Sequence, residues 1–255
     1  MADLWADSWA DPWAFWLLAI AGVYFTGISK AGFAGAAGVV AVPMLALVLP
    51  VPQALMLMLP LLLFMDLGIL LRHRGLWGQL RLGRLLPASI LGVILGTLVL
   101  SVLPEALTKI LVGLLCLILL VIPSRLSAAW VSRPWAGPVF GALAGLSSSL
   151  VHAGGPVLNA YLARQALSPT LWIATAATFF GAVNLLKVPA YVSAGFALPG
   201  GWTTVAWLIP AAVAGMASGN VLRERLQPAT FGRVMRGVLL LMALSLVLQG
   251  SLAWL

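Results

Sequence analysis

The chain has 255 residues, of which 62% are hydrophobic and 8% charged, with a mean hydropathy of +1.10. A hydrocarbon core about 30 Å thick takes about 20 apolar residues per helix, so this composition excludes a soluble globular protein and predicts an all-α polytopic membrane protein without a soluble domain. The net charge of +8 does not point to nucleic acid, because excess Lys and Arg in such a chain mark cytoplasmic loops; the single cysteine, Cys116, excludes an intrachain disulfide and a cysteine metal site.

The N-terminal stretch MADLWADSWADPW carries Asp3, Asp7 and Asp11 and no basic residue. It lacks the positive region of a signal peptide and reads as a Trp-rich interfacial lead-in. Residues 13–29 form the first helix-length apolar run, followed by Lys30 and the glycines Gly32, Gly35 and Gly38. The apolar pattern resumes over 39–49, where 11 residues cover about 16 Å and predict a half-helix. A full span over 52–71 leads to a basic loop with Arg72, His73, Arg74, Arg81 and Arg84, and spans over 85–100 and 105–122 close the first unit.

The second unit repeats the order: an apolar run over 134–146, a break from Ser147 to Pro156, a short limb over 156–166, and spans over 169–191, 202–222 and 230–248. Gly38 and Pro52 recur in spacing as Gly155 and Pro169; Pro87, Gly92 and Gly96 recur as Pro210, Gly215 and Gly219. The chain reads as an internal duplication. If each broken segment doubles back, Arg72, Arg74, Arg81, Arg84, Arg125, Arg133, Arg164, Arg223, Arg225, Arg233 and Arg236 all fall on one face, as the positive-inside tendency requires. The expectation is one transporter domain over 1–255 built of two inverted-topology repeats, about 13–123 and 134–250. Each is a broken or re-entrant helix pair followed by three transmembrane helices, with both termini outside.

Irregular backbone at membrane depth survives only where protein or a watery cavity satisfies its polar groups. Two breaks, one per half, predict a shared cavity near the midplane. Half-helices starting after Gly38 and at Pro156 would aim free amides into it, and Gly35, Gly38, Gly154 and Gly155 bring backbone to it. Such a site favours an anion. Glycines elsewhere, at 92, 96, 215 and 219, are read as close helix packing.

Lys187 lies inside the span VNLLKVPAY with Asn184 on the same helical face, and a charge at membrane depth reads first as functional. The bland alternative is that Lys187 snorkels to the interface near Tyr191. Lys30 either holds substrate or caps the carbonyls of the preceding helix. His152 hydrogen-bonds an anion, relays protons, or is a buried histidine satisfied by carbonyls. Ser147, Ser148 and Ser149 offer hydroxyls to an anion or bond back to their own helix. Asp66, one residue off the counterpart of Asn184, pairs with a basic side chain, the favoured reading, or carries a coupling proton. An enzyme is not expected: there is no GxSxG elbow, no HExxH and no paired-carboxylate metal site, and no cofactor is called for.

The stretches FTGISKAGFAGAAGVVAVPML, FGALAGLSSSLVHAGGPVLNAYL and TAATFFGAVNLLKVPAYVSAGF resemble the sulfite exporter TauE/SafE family of membrane permeases, and the two-repeat layout extends the likeness over nearly the whole chain. The resemblance implies a secondary transporter of the bacterial cytoplasmic (inner) membrane. It would export small sulfur-containing anions, such as sulfite or organosulfonates like sulfoacetate, by alternating access. By position it implies a site at the 35–43 and 147–156 breaks and at Asn184 and Lys187. The first break, with Ala36 and Ala37, departs from the denser glycine runs of the family. The competing readings are a passive anion channel and a non-transporting membrane assembly partner. The expected partners are the anion and the lipid bilayer, with a homodimer left open and no nucleic acid.

Overall fold

The computed structural model describes residues 12–35, 40–79, 82–121, 133–163, 165, 167–225 and 227–254. Among them are ten α-helices and no strand. The first half holds α1 (Pro12–Phe33), α2 (Ala41–Leu45), α3 (Val51–Arg72), α4 (Leu85–Val102) and α5 (Glu105–Val121), with a 3-10 segment at Arg74–Gln79. The second holds α6 (Ala136–Val151), α7 (Gly154–Leu162), α8 (Pro169–Ser193), α9 (Gly201–Arg225) and α10 (Pro228–Trp254). Six of these, α1, α3, α4, α8, α9 and α10, are long and apolar enough to cross a membrane.

Local sequence explains where the central helices start. Proline stands in the first turn of both α3 and α8, where a missing N–H leaves nothing unpaired. Ser168 caps α8 by accepting from the Leu171 amide at 3.3 Å. The apolar windows of α1, α3 and α8 are each 56% buried, against 28% for α9 and 22% for α10, so these three form the middle of the bundle. Leu91, Ile94, Leu95 and Leu98 on α4, and Leu241, Leu244 and Leu248 on α10, remain exposed at helical spacing, an apolar face suited to lipid.

The first break differs from its expected form. The helix predicted to stop at Ser29 continues through Lys30 and Gly32 to Phe33. Gly32 serves packing there: a Cβ on it would lie 2.6 Å from the carbonyl oxygen of Gly219. The half-helix predicted over 39–49 is reduced to the five residues of α2, followed by turns into Pro50, whose ring disfavours helical backbone at the residue before it. In the second break α7 begins at Gly154, so Pro156 is its third residue rather than its first. It still lies within the turn whose amides have no helical partner. Gly38, Ala36, Ala37, Arg81, Arg125 and Arg164, with the N-terminal Trp5 and Trp9, lie outside the described residues.

The helix pairs repeat between the halves. Helix α4 packs on α6, and α1 on α9, each fourth helix against the other half's first; α3 packs on α8 and α5 on α10, like against like. Gly92, Gly96, Gly215 and Gly219 make the first two contacts: an added Cβ would come within 2.1 Å of Ala142 O, 2.8 Å of Ser149 Cβ, 2.3 Å of Tyr24 O and 2.6 Å of Ile28 O respectively. Backbone meets backbone in both pairs, as small residues allow in membranes. Register gives their sense. Leu85 faces Gly141 and Ser89 faces Gly145, so α4 and α6 run parallel; Tyr24 faces Gly215 and Ile28 faces Gly219, so α1 and α9 do too. The like pairs are antiparallel. Ala106 meets Gly250 while Gly113 meets Ala243, and Asp66 bonds Asn184 while Leu70 lies beside Gly181.

Candidate functional site

Both breaks are built on the same backbone device. Helix α1 ends in Ala34, at φ 50°, after which the Gly35 amide donates to Ser29 O at 2.9 Å. Helix α6 ends in His152, at φ 53°, after which the Ala153 amide donates to Ser147 O at 3.2 Å. A left-handed residue other than glycine costs about 1–2 kcal/mol and persists only where its surroundings hold it. Asn159 of α7 supplies one restraint, donating to Ala34 O at 3.2 Å and so tying one break to the helix that leaves the other. Ala34 and His152 stand 118 positions apart, as do Ser29 and Ser147. At that spacing Asp66 and Asn184 are counterparts, and they touch: the Asn184 amide donates to Asp66 Oδ2 at 2.8 Å.

Asp66 is 1% exposed, and its other oxygen accepts from Lys30 in a buried ion pair. Lys30 therefore does not cap the end of its own helix by way of its side chain. Its ammonium also lies 5.7 Å from the centre of the Phe180 ring, within cation–π range.

Lys187 is fully buried and does not snorkel. Its Nζ donates to Ser148 O at 3.0 Å and Ser148 Oγ at 2.9 Å, and lies 2.7 Å from His152 Nδ1. On the far side of that ring, His152 Nε2 is 3.0 Å from Leu55 O. A carbonyl only accepts, so Nε2 carries the proton and Nδ1 is left to accept from Lys187. The three acceptors match the three N–H bonds of an ammonium, and none of them is acidic.

Between the two lysines lies a small cavity of about 20 Å³, lined by Thr26, Lys30, Gly35, Leu62, Ser148, His152, Gly155, Phe180 and Asn184. Side chains from α1, α3, α6 and α8 meet there, together with backbone of both breaks. Two lysines and one aspartate surround it, so basic groups outnumber acidic ones there. That chemistry suits a small anion able to accept several hydrogen bonds. Among the described residues no group of three His, Cys, Asp or Glu could hold a metal ion.

The family model described as Sulfite exporter TauE/SafE matches residues 18–246. The chain belongs to the TauE/SafE family. No curated protein and no solved structure matches it significantly. A match over nearly the whole length, with six spanning helices, makes this TauE/SafE protein a multi-pass membrane protein of a sulfite-exporter family, and the family's members are transporters rather than enzymes.

The predicted residues of this TauE/SafE chain divide by location. Lys30, Gly35, Ser148, His152, Gly155 and Asn184 line the cavity, and Lys187 stands directly behind Ser148 and His152. Ser147 and Ser149 point elsewhere: Ser147 donates to Leu143 O at 2.8 Å, and Ser149 donates to Val93 O at 3.2 Å beside Thr97 Oγ1. Gly154 packs under Phe180, whose ring would lie 2.7 Å from an added Cβ. Sequence reasoning did not single out Thr26, Leu62 or Phe180, because an isolated Thr, Leu or Phe in an apolar run looks like every other one. Nor did it single out Asn159, whose side chain also accepts from Trp172 Nε1 and so links α7 to α8.

Proposed function

We propose that this protein is a secondary transporter exporting a small sulfur-containing anion, sulfite or a sulfonate such as sulfoacetate, across the bacterial cytoplasmic membrane by alternating access. The observation that carries the reading is the cavity between Lys30 and Lys187, two basic groups set against the single acid Asp66. Lys187 supplies charge through Ser148 and His152, Lys30 supplies it once it leaves Asp66, and Asn184 orients the ligand. The Gly155 amide, in the first turn of α7, adds a donor free of helical partners.

The two halves act as inverted repeats that rock about this cavity. The antiparallel courses of the counterparts α3 and α8, and α5 and α10, support that relation. They also support a topology with the arginine-bearing loops in the cytoplasm and both chain ends outside. A subunit that only assembles with partners would turn its polar residues outward; here those of both halves turn into one cavity.

The test is uptake into proteoliposomes of purified protein, with sulfite and sulfoacetate supplied separately and with and without an imposed proton gradient. Wild-type protein moves at least one of the two anions, and Lys187→Ala abolishes that movement. Wild-type transport by Lys187→Ala removes Lys187 from the site, and gradient-independent, non-saturating flux favours a passive channel over a carrier.

A further inference from the structure

Hydroxyls inside apolar helices usually bond back to the carbonyl one turn earlier, which spares them an unmet hydrogen bond in a medium without water. This chain follows the habit repeatedly. Thr175 donates to Leu171 O at 2.7 Å, Thr178 to Ala174 O at 2.8 Å, Ser147 to Leu143 O at 2.8 Å and Ser245 to Leu241 O at 2.9 Å. Among the described residues, only two buried side-chain oxygens have no hydrogen-bond partner, Thr26 Oγ1 and Thr204 Oγ1.

The two exceptions differ in kind. Thr204 is the fourth residue of α9, just after two glycines with left-handed backbone, Gly200 at φ 64° and Gly201 at φ 63°, and it does not line the cavity. Thr26 lies deep within α1, fourteen residues past its start at Pro12, with helical carbonyls behind it at Gly22 and Val23. It is 1% exposed, and it lines the cavity one turn before Lys30. Leaving a buried hydroxyl unbonded is costly, and here nothing about the local backbone requires it.

We propose that Thr26 is a substrate-binding residue whose hydroxyl donates a hydrogen bond to an oxygen of the transported oxyanion. The anion then lies between the Thr26 hydroxyl and Lys30 on α1 and the Ser148 and His152 side of α6, and its arrival satisfies a donor that the protein alone leaves unmet. A threonine at this depth adds a directional hydrogen bond without adding charge. The inference rests on the cavity being the anion site.

The experiment measures apparent affinity for sulfite and sulfoacetate, and thermal stability without ligand, in Thr26→Val, Thr26→Ser, Thr204→Val and Lys187→Ala. Valine keeps the shape of threonine and removes the hydroxyl. Thr26→Val is expected to weaken oxyanion binding roughly tenfold to a hundredfold, the usual effect of losing a hydrogen bond to a charged group. Its ligand-free stability stays at or above that of the wild type, a result that a merely structural hydroxyl would not give. Thr26→Ser restores most of the affinity, and Thr204→Val leaves it unchanged. Thr26→Ala replaces the valine variant if the latter does not reach the membrane. Wild-type affinity in a folded Thr26→Val or Thr26→Ala protein, alongside lost binding in Lys187→Ala, overturns the role of Thr26 and leaves the site itself standing. Absence of wild-type binding to either anion, or full binding by Lys187→Ala, overturns the anion site and this inference together.

Discussion

Replacing Asp66 with alanine takes away the acid that Lys30 and Asn184 share. The side chains of Lys30 and Asp66 are 9% and 2% exposed, so the pair belongs with buried ion pairs rather than with exposed ones worth about 0–1 kcal/mol. Removing one member of a buried pair strands a charge and costs about 3–5 kcal/mol. The Asn184 amide also loses its acceptor, which adds about 1 kcal/mol. Lys30→Met together with Asp66→Ala removes both charges and keeps most of the buried volume, and is expected to recover at least 2 kcal/mol of that loss by the usual behaviour of such pairs. The measurement is a double-mutant cycle on unfolding of the purified protein in mixed micelles, with the single Lys30→Met as the fourth corner. Lys30→Met and the double variant also lose a lysine of the proposed site, so stability alone carries this test. A double variant no more stable than Asp66→Ala, or an Asp66→Ala protein within 1 kcal/mol of wild type, refutes the pairing.

Two further perturbations probe the frame around the cavity. Gly92→Ala places a methyl group 2.1 Å from Ala142 O and must push α4 off α6, so a loss of about 1–3 kcal/mol is expected; Gly237→Ala, with no atom within 4 Å of the new carbon, serves as the control in the same unfolding assay. Equal stability of the two would mean that the glycine contact is not what sets the helix spacing. Among the described residues Gly35→Ala meets only Phe180 Cε2 at 3.9 Å, so its expected cost of about 1–2 kcal/mol comes from the left-handed backbone at φ 73° rather than from crowding, and thermal stability equal to wild type would contradict it.

Much of this arrangement was legible because the residues concerned violate the local expectation of an apolar helix. Lys187 and Asn184 in a span, and serine with glycine at a break, had to be satisfied by something, and a shared cavity was the economical answer. The recurrence of Pro and Gly spacings between the two halves was legible as well. The exact correspondence of Asp66 with Asn184 was not, since it was counted from Pro52 and Pro169. Eighteen positions separate Ala34 from Pro52 and seventeen separate His152 from Pro169, and a connection absorbs such a difference where a packed helix would not. The end of α1 was misread for a related reason. Gly32 marks a helix contact with Gly219, while the left-handed turn falls on Ala34, a residue with no sequence signature for that conformation. The role of Thr26 had no signal either, because being unbonded is a property of surroundings and not of residue type.

The contact between Asp66 and Asn184 bears on how such a protein can arise. Were each half a separate polypeptide pairing with its own copy, the same side chain would occur twice at this place. Two aspartates would face each other at hydrogen-bond distance and would have to share a proton, since like charges that close cannot both ionise. Two asparagines would bond readily but offer Lys30 no carboxylate. A single chain leaves the two positions free to differ, one carrying the acid and the other its amide donor. One chain can therefore hold an asymmetric polar centre that no symmetric pair of identical subunits could hold.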